Sequence, residues 1–350
     1  MQSGDYSIIP AMAAGFLSLQ GQIAKNLDNT LSIPEGMVNI GGNGYGYILQ
    51  SQAVFDPYDA ANRDASFSAV TLGDDIYIYA CQASLSPYAK LLCSKNATYP
   101  DGYTATNSRK IGGFHVGRTR PISERFNAAY VPSVEIVPNS VWDEIHRPEC
   151  SPEGMAEIAP GLWASIYQLS VISGTWPEIT LGSRFGATPL RDTGGYARSD
   201  LYKGLIESGF ILPTYQEWKT CSYGAPQGND ANNDTAWTAT TNTGPTTTGA
   251  VAKSVSCTNI VDTVGNLWEY LDMMWDYGGT WAWTATVVDV GQDAAFDRGQ
   301  IYHANWRFGI AGGYWAEGLR YGASTLHTNG SPWLASGTVC LRALSRSRKA

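Results

Sequence analysis

At 350 residues the chain is long enough for two domains and too long for one small module. Charged residues make up only 15% while Gly (38), Trp (12) and Tyr (20) are plentiful, a balance of short strands and ordered loops that excludes a coiled coil or a disordered chain. The net charge of -8 offers no attraction to a phosphate backbone or an anionic membrane, so nucleic acid is not an expected partner.

No apolar run approaches the ~20 residues of a membrane-spanning helix, so no membrane insertion is expected. The best run, Ala11 to Leu19, lacks the basic residues that precede it in an export signal. Residues 1–30 form an expected assembly segment, because the loosely helical spacing of Phe16, Leu17, Leu19, Ile23 and Leu27 is too short to build a core alone. Residues 31–130 read as a small all-β sandwich domain. Its strands are expected at Met37 to Ile40, Tyr45 to Leu49, Phe67 to Leu72, Ile76 to Cys81 and Lys110 to Val116, between Gly, Asp, Asn and Pro clusters.

Residues 131–350 change to aromatic-rich segments and make the fold class α+β. One helix is expected over Ser199 to Ser208, with Leu201, Leu205 and Ile206 on one face and Gly209 as its stop. A second opens at Thr214, where Thr214 and Glu217 have the spacing of a capping box. Residues 228–256, rich in Thr, Asn and Gly, read as a loop. The tail Arg342, Arg346, Arg348 and Lys349 reads as a solvated basic terminus.

Catalytic chemistry is sparse. The six cysteines are scattered without a CxxC pair and are expected to be mostly buried free thiols, with one or two disulfides open to a protein working outside a cell. The four histidines, His115, His146, His303 and His327, have no spacing that puts two on one metal. Gly42, Gly44 and Gly46 have no helical pattern after them and mark a β-turn rather than a nucleotide loop. Asp262 and Glu269 flank the Gly265-Asn266 turn; that arrangement suits a calcium cage or a set of turn hydrogen bonds equally.

Leu212-Pro213-Thr214-Tyr215-Gln216-Glu217-Trp218, Gly265-Asn266-Leu267-Trp268-Glu269-Tyr270 and Gly312-Gly313-Tyr314-Trp315 follow the motif order of the formylglycine-generating, sulfatase-modifying superfamily, and the chain resembles it. That resemblance implies a C-type-lectin-like C-terminal domain behind the β-sandwich. It also implies a structural calcium held by Asp262, Gly265, Leu267 and Glu269, although the family has Asn where this chain has Asp262. The family's oxidases need a cysteine pair after the Gly-Gly motif, and here Tyr314 to Leu341 holds only Cys340. No enzyme activity is therefore expected, with a sulfatase-modifying oxidase as the alternative.

Residues 101–115, Ser140-Val141-Trp142-Asp143, Arg147-Pro148 and Gly161 to Leu169 are more similar to the phage tropism-determinant family, over roughly Leu31 to Cys340. This resemblance implies a homotrimeric receptor-binding protein at a virion tail-fibre tip, acting outside the cell on a host-cell surface receptor, protein or glycan. A variable protein displayed on a cell surface is the alternative. In that family a diversity-generating retroelement rewrites scattered positions through codons that cannot encode Trp, Glu, Lys, Gln or Met. The compatible ligand-binding positions are Tyr314, Ala316, Gly318, Arg320, Tyr321, Leu326, His327, Asn329 and Leu334, while Glu317 is not among them. Trp268, Gly312, Gly313, Trp315 and Trp333 are the expected framework. Tyr and Arg are contact hot-spot types, each worth about 2 kcal/mol or more on truncation.

Overall fold

The structure, a computed structural model, describes residues 9–10, 13–42, 45–191, 196–226, 244–284, 292, 300–316, 322–331 and 336–348. The chain divides into two compact units, Met1–Gly117 with Val134–Arg147 and Arg348–Ala350, and Arg118–Ser133 with Pro148–Ser347. Among the described residues the elements are strands and short 3-10 turns, with two α-helices in the second unit. No helix of the described residues is long and apolar enough to cross a membrane.

In the first unit the segment expected to be helical is extended. Leu17–Leu19 pairs antiparallel with Gly36–Asn39, and Ala24–Lys25 pairs with Leu31–Ile33. The reason lies in partners rather than spacing: Ile23 is buried while Leu27 is wholly exposed, so no single helical face covers both. Gly36–Asn39 and Tyr45–Leu49 form the hairpin whose turn carries the glycine cluster, with Gly41 and Gly42 at φ 74° and 68°. Asp75–Gln82 is the central strand between Ala89–Ser94 and Ser108–Thr119. It is buried on both faces. Ile23, Leu31, Val38, Ile78 and Phe114 belong to one core, each aliphatic side chain contributing about 1.5–3 kcal/mol relative to exposure.

Phe67 to Leu72 is not a strand. Phe67 does enter the core, but its carbonyl accepts from the Arg63 guanidinium at 2.6 Å, and Asp74 N–H closes a turn on Thr71 O. The two histidines of this unit serve local structure: His115 pairs across strands with Asp75 (Nδ1 to Oδ1, 2.9 Å), and His146 with Asp143.

The second unit is tied together by its ends. Leu162–Ser165 pairs with Met155–Ala159 on one side and with Leu344–Arg346 on the other. Leu169–Thr175 and Glu178–Ser183 form a hairpin against which helix α1 (Arg198–Glu207) packs; a Cβ on Gly204 would lie 3.0 Å from Ile179. Leu201 and Leu205 face inward as expected, whereas Ile206 is exposed. Gly209 follows the helix at φ 77°. Helix α2 (Tyr215–Ser222) has the full capping box: Glu217 N–H donates to Thr214 Oγ1, and Thr214 N–H donates to the Glu217 carboxylate at 2.9 Å.

The main sheet runs Leu326–Gly330, Trp306–Ala311, Trp268–Asp276, Val339–Cys340. The last two strands are parallel, with Glu269 opposite Cys340. A short ribbon, Ala282–Thr284 with Ile301–His303, completes the unit's described strands.

Candidate functional site

Arg342 is the residue that sequence reasoning missed. Read as part of a solvated tail, it is fully buried instead. Ser165 N–H takes Ala343 O and Leu169 N–H takes Leu341 O, so the backbone on either side of Arg342 is held and its side chain turns into the unit. There the guanidinium uses all five donors: Nε and Nη2 reach the two oxygens of Glu269 at 2.8 and 2.5 Å, Nη1 reaches Ser165 O and Ile166 O, and Nη2 also reaches Val261 O. Glu269 is equally saturated, because Trp218 Nε1 donates to Oε2 at 2.8 Å and Gln168 Nε2 to Oε1 at 3.2 Å. Burial pulls the Arg342 guanidinium down, but Glu269 more than offsets it and the group stays above its ordinary range. The signal was the apolar run around Arg342: a lone charge in such a run needs an opposite charge from elsewhere in the chain.

Gln168 extends the network to the Asp262–Glu269 turn. Its two amide N–H groups are shared among Glu269 Oε1, Asp262 O and Leu267 O, each 3.2 Å away, and its Oε1 accepts from Asn266 Nδ2 at 2.9 Å. Asp262 sits at φ 57°, with Oδ2 accepting from Gly249 N–H at 2.7 Å and Oδ1 buried without a partner. Burial pushes its carboxyl up to about 7.

This donor set does not fit the expected calcium. Both Glu269 oxygens already accept from Arg342, and the Leu267 carbonyl faces the Gln168 amide. Asp262 Oδ1 and Thr263 Oγ1 are the turn's buried side-chain oxygens without a partner, whereas calcium takes 6–8 oxygens. Among the described residues no three His, Cys, Asp or Glu side chains converge on a metal position.

On this network rests the Gly-Gly loop. Gly312 and Gly313 are buried at φ 92° and 82°, and a Cβ on Gly312 would lie 2.6 Å from Thr263 O. Gly312→Ala is therefore expected to cost about 2–3 kcal/mol, read as a lowered urea midpoint. Trp315 donates its N–H to Asn266 O and packs with Val264, Ala225 and Ala323. Tyr314 meets it edge-on at 4.9 Å and is half-buried, while Ala316 is exposed.

The expected variable residues fall into two described groups. Tyr314 and Ala316 lie in this loop; Leu326, His327 and Asn329 lie on the strand Leu326–Gly330. His327 and Asn329 are exposed, the former tilted 5.7 Å from the buried framework Trp268. Leu326 is half-buried against Trp218, Leu271 and Ala311, so it packs as framework does. Gly318, Arg320, Tyr321, Trp333 and Leu334 lie outside the described residues.

A second exposed feature was not anticipated. Trp281, Trp283 and Tyr302 are 52%, 67% and 52% exposed, with ring centroids 5.3–5.8 Å apart on the short ribbon. Asp276 fixes the ribbon's base by accepting from Gly278, Ala304 and Asn305 N–H. Arg307 links that base to the strand Leu326–Gly330, bonding Asn305 Oδ1 at 2.7 Å and Asn329 Oδ1 at 2.5 Å.

All six cysteines are free, five of them buried. Burial pushes the Cys340 thiol well above its ordinary range, the opposite of a reactive thiolate, which lends the oxidase alternative no support.

Comparison with known proteins agrees with this architecture. The family model that matches is the Mtd second domain, over residues 22–143. A tail fiber receptor-binding protein of Bordetella phage BPP-1 is 27% identical over 261 residues, 70% of this chain and 66% of the relative, just under two thirds of its length. Among solved structures, the Major Tropism Determinant M1 variant aligns with a TM-score of 0.73 over 98% of this chain and 86% of its own, at 21% identity. The I1 variant aligns at 0.71 over 97% and 86%, also at 21% identity. The chain is thus similar to the phage tropism determinants: residues 22–143 match their second-domain model, and the chain as a whole shares their overall fold, with a β-rich first unit followed by a lectin-like unit.

Proposed function

We propose that the chain is a non-enzymatic receptor-binding protein of a phage tail-fibre tip, whose C-type-lectin-like head presents a diversified face to a host-cell receptor, protein or glycan. Relationship to a tail fiber receptor-binding protein supports the class of function. The observation that carries the binding face is the pairing of exposed side chains with a fixed support: Ala316, His327 and Asn329 reach outward from backbone that Gly312, Trp315 and Asn266 hold in place. Rigid support spares the ordering cost that a floppy loop would impose on binding.

In this reading residues 1–30 serve assembly of a homotrimer, residues 31–130 are a β-sandwich spacer, and residues 131–350 are the head. Three heads acting together strengthen weak single contacts about 10²–10⁴-fold. Trp281, Trp283 and Tyr302 add a constant aromatic component beside the variable strand, in residue types enriched at contact hot spots.

The test is a substitution panel at Tyr314, Ala316, His327 and Asn329, read twice. Binding to host cells should change at least about tenfold for one or more substitutions, while the exposed changes move unfolding free energy by less than about 0.5 kcal/mol each. Unchanged binding across the whole panel would defeat the reading.

A further inference from the structure

We propose that Arg342 is the permanent cation of the lectin-like unit, so that the turn from Asp262 to Glu269 is held by a guanidinium and needs no calcium. The turn has the residue order that implies a divalent ion, yet its acidic centre is already neutralised from within the chain. Glu269 accepts from Arg342 Nε, Arg342 Nη2 and Trp218 Nε1, and it shares the two N–H groups of the Gln168 amide with the carbonyls of Asp262 and Leu267.

Geometry favours this replacement for two reasons. A guanidinium is planar and forked, and it meets both carboxylate oxygens in one plane as a bidentate pair. Its remaining N–H groups then reach the carbonyls of Ser165, Ile166 and Val261, three segments that a spherical ion would have to gather with oxygens alone. Gln168 completes the substitution: its amide N–H groups occupy the carbonyls of Asp262 and Leu267, oxygens that a bound ion would use as ligands. A calcium ion entering here would face hydrogen-bond donors and a fixed positive charge rather than a cage of oxygens.

The experiment uses the full chain. Calorimetric Tm is measured in 5 mM EDTA and in 5 mM CaCl₂ at equal ionic strength, with ⁴⁵Ca equilibrium dialysis alongside; these concentrations are about a hundredfold above a site of tens-of-micromolar affinity. The expected result is the same Tm within about 1 °C and no stoichiometric calcium retained. A resident calcium at that saturation would raise Tm by about 5–10 °C, and that rise, or one calcium bound per chain, overturns the proposal. Arg342→Lys tests the guanidinium itself, since it keeps the charge but offers at most three donors. A Tm lower by about 5 °C or more supports the proposal, and a variant as stable as the parent overturns it. Should this variant fail to fold, the parent's response to EDTA and calcium still decides.

Discussion

Glu269→Met is expected to lower the stability of the second unit by about 3–5 kcal/mol, because it leaves the buried Arg342 guanidinium without its counter-charge. Arg342→Met should cost a similar amount by stranding the carboxylate. The double variant should lose far less than the sum, since both charges and their desolvation cost leave together while methionine fills much of each side chain's volume. Urea unfolding of the four proteins gives the coupling energy directly. Strict additivity would mean that the two side chains do not act as a pair. The 0% exposure of both makes this the largest effect expected of any single charge in the unit.

Asp262 gives the second large effect, one that appears only as a slope against pH. Its carboxyl is pushed up by burial from 3.8 to about 7. Below pH 3.8 it is protonated folded and unfolded, and it costs nothing. Between those values the folded chain keeps a proton that the unfolded chain releases, so stability falls as pH rises, by at most about 1.4 kcal/mol per pH unit. The loss reaches a ceiling of about 4 kcal/mol near pH 7 and stays there. Asp262→Asn keeps an oxygen for Gly249 N–H and removes the charge, so its stability relative to the parent should climb from pH 5 to pH 7 and then level. Only that difference is informative, because Asp64, Asp28 and Asp276 are held low by hydrogen bonds and bias the parent's own curve the other way. A difference independent of pH would show that Asp262 is ionised throughout.

Local chemistry was legible in the sequence where one segment decides it. The Thr214–Glu217 box, the stop at Gly209 and the hairpin at the glycine cluster each depend on a few neighbouring residues, and each is present. What the sequence hid depends on distant partners. Residues 13–30 carry a spacing with no decisive period, and pairing with Gly36–Asn39 and Leu31–Ile33 settled them as strands. Ile206 fits the apolar face of α1 on paper, yet the hairpin beneath the helix receives Leu201, Gly204 and Leu205 instead. Arg342 was grouped with its basic neighbours, although Arg346 alone of the pair reaches the surface, where it meets Glu217 at 2.9 Å. The Gly265-Asn266-Leu267-Trp268-Glu269 string pointed to the turn but gave no sign of Arg342 as the partner of Glu269. Side-chain type names the charge to be neutralised, while the partner is fixed only once Glu269 and Cys340 lie side by side.

The pairing of the early strand Leu162–Ser165 with the late strand Leu344–Arg346 sets a timetable for the synthesis of the second unit. Leu162 finds its partner at Arg346, and Trp163 Nε1 finds Ser347 Oγ 184 positions downstream. A nascent chain therefore exposes an unpaired strand edge and a half-built aromatic interior until Leu344–Arg346 has left the ribosome tunnel, which makes the emerging unit slow to close and prone to misassociation. The preceding β unit has its main hairpins complete much earlier in translation. Substitutions at His327 or Asn329 therefore alter side chains added to this unit while Leu162–Ser165 still waits for Leu344–Arg346.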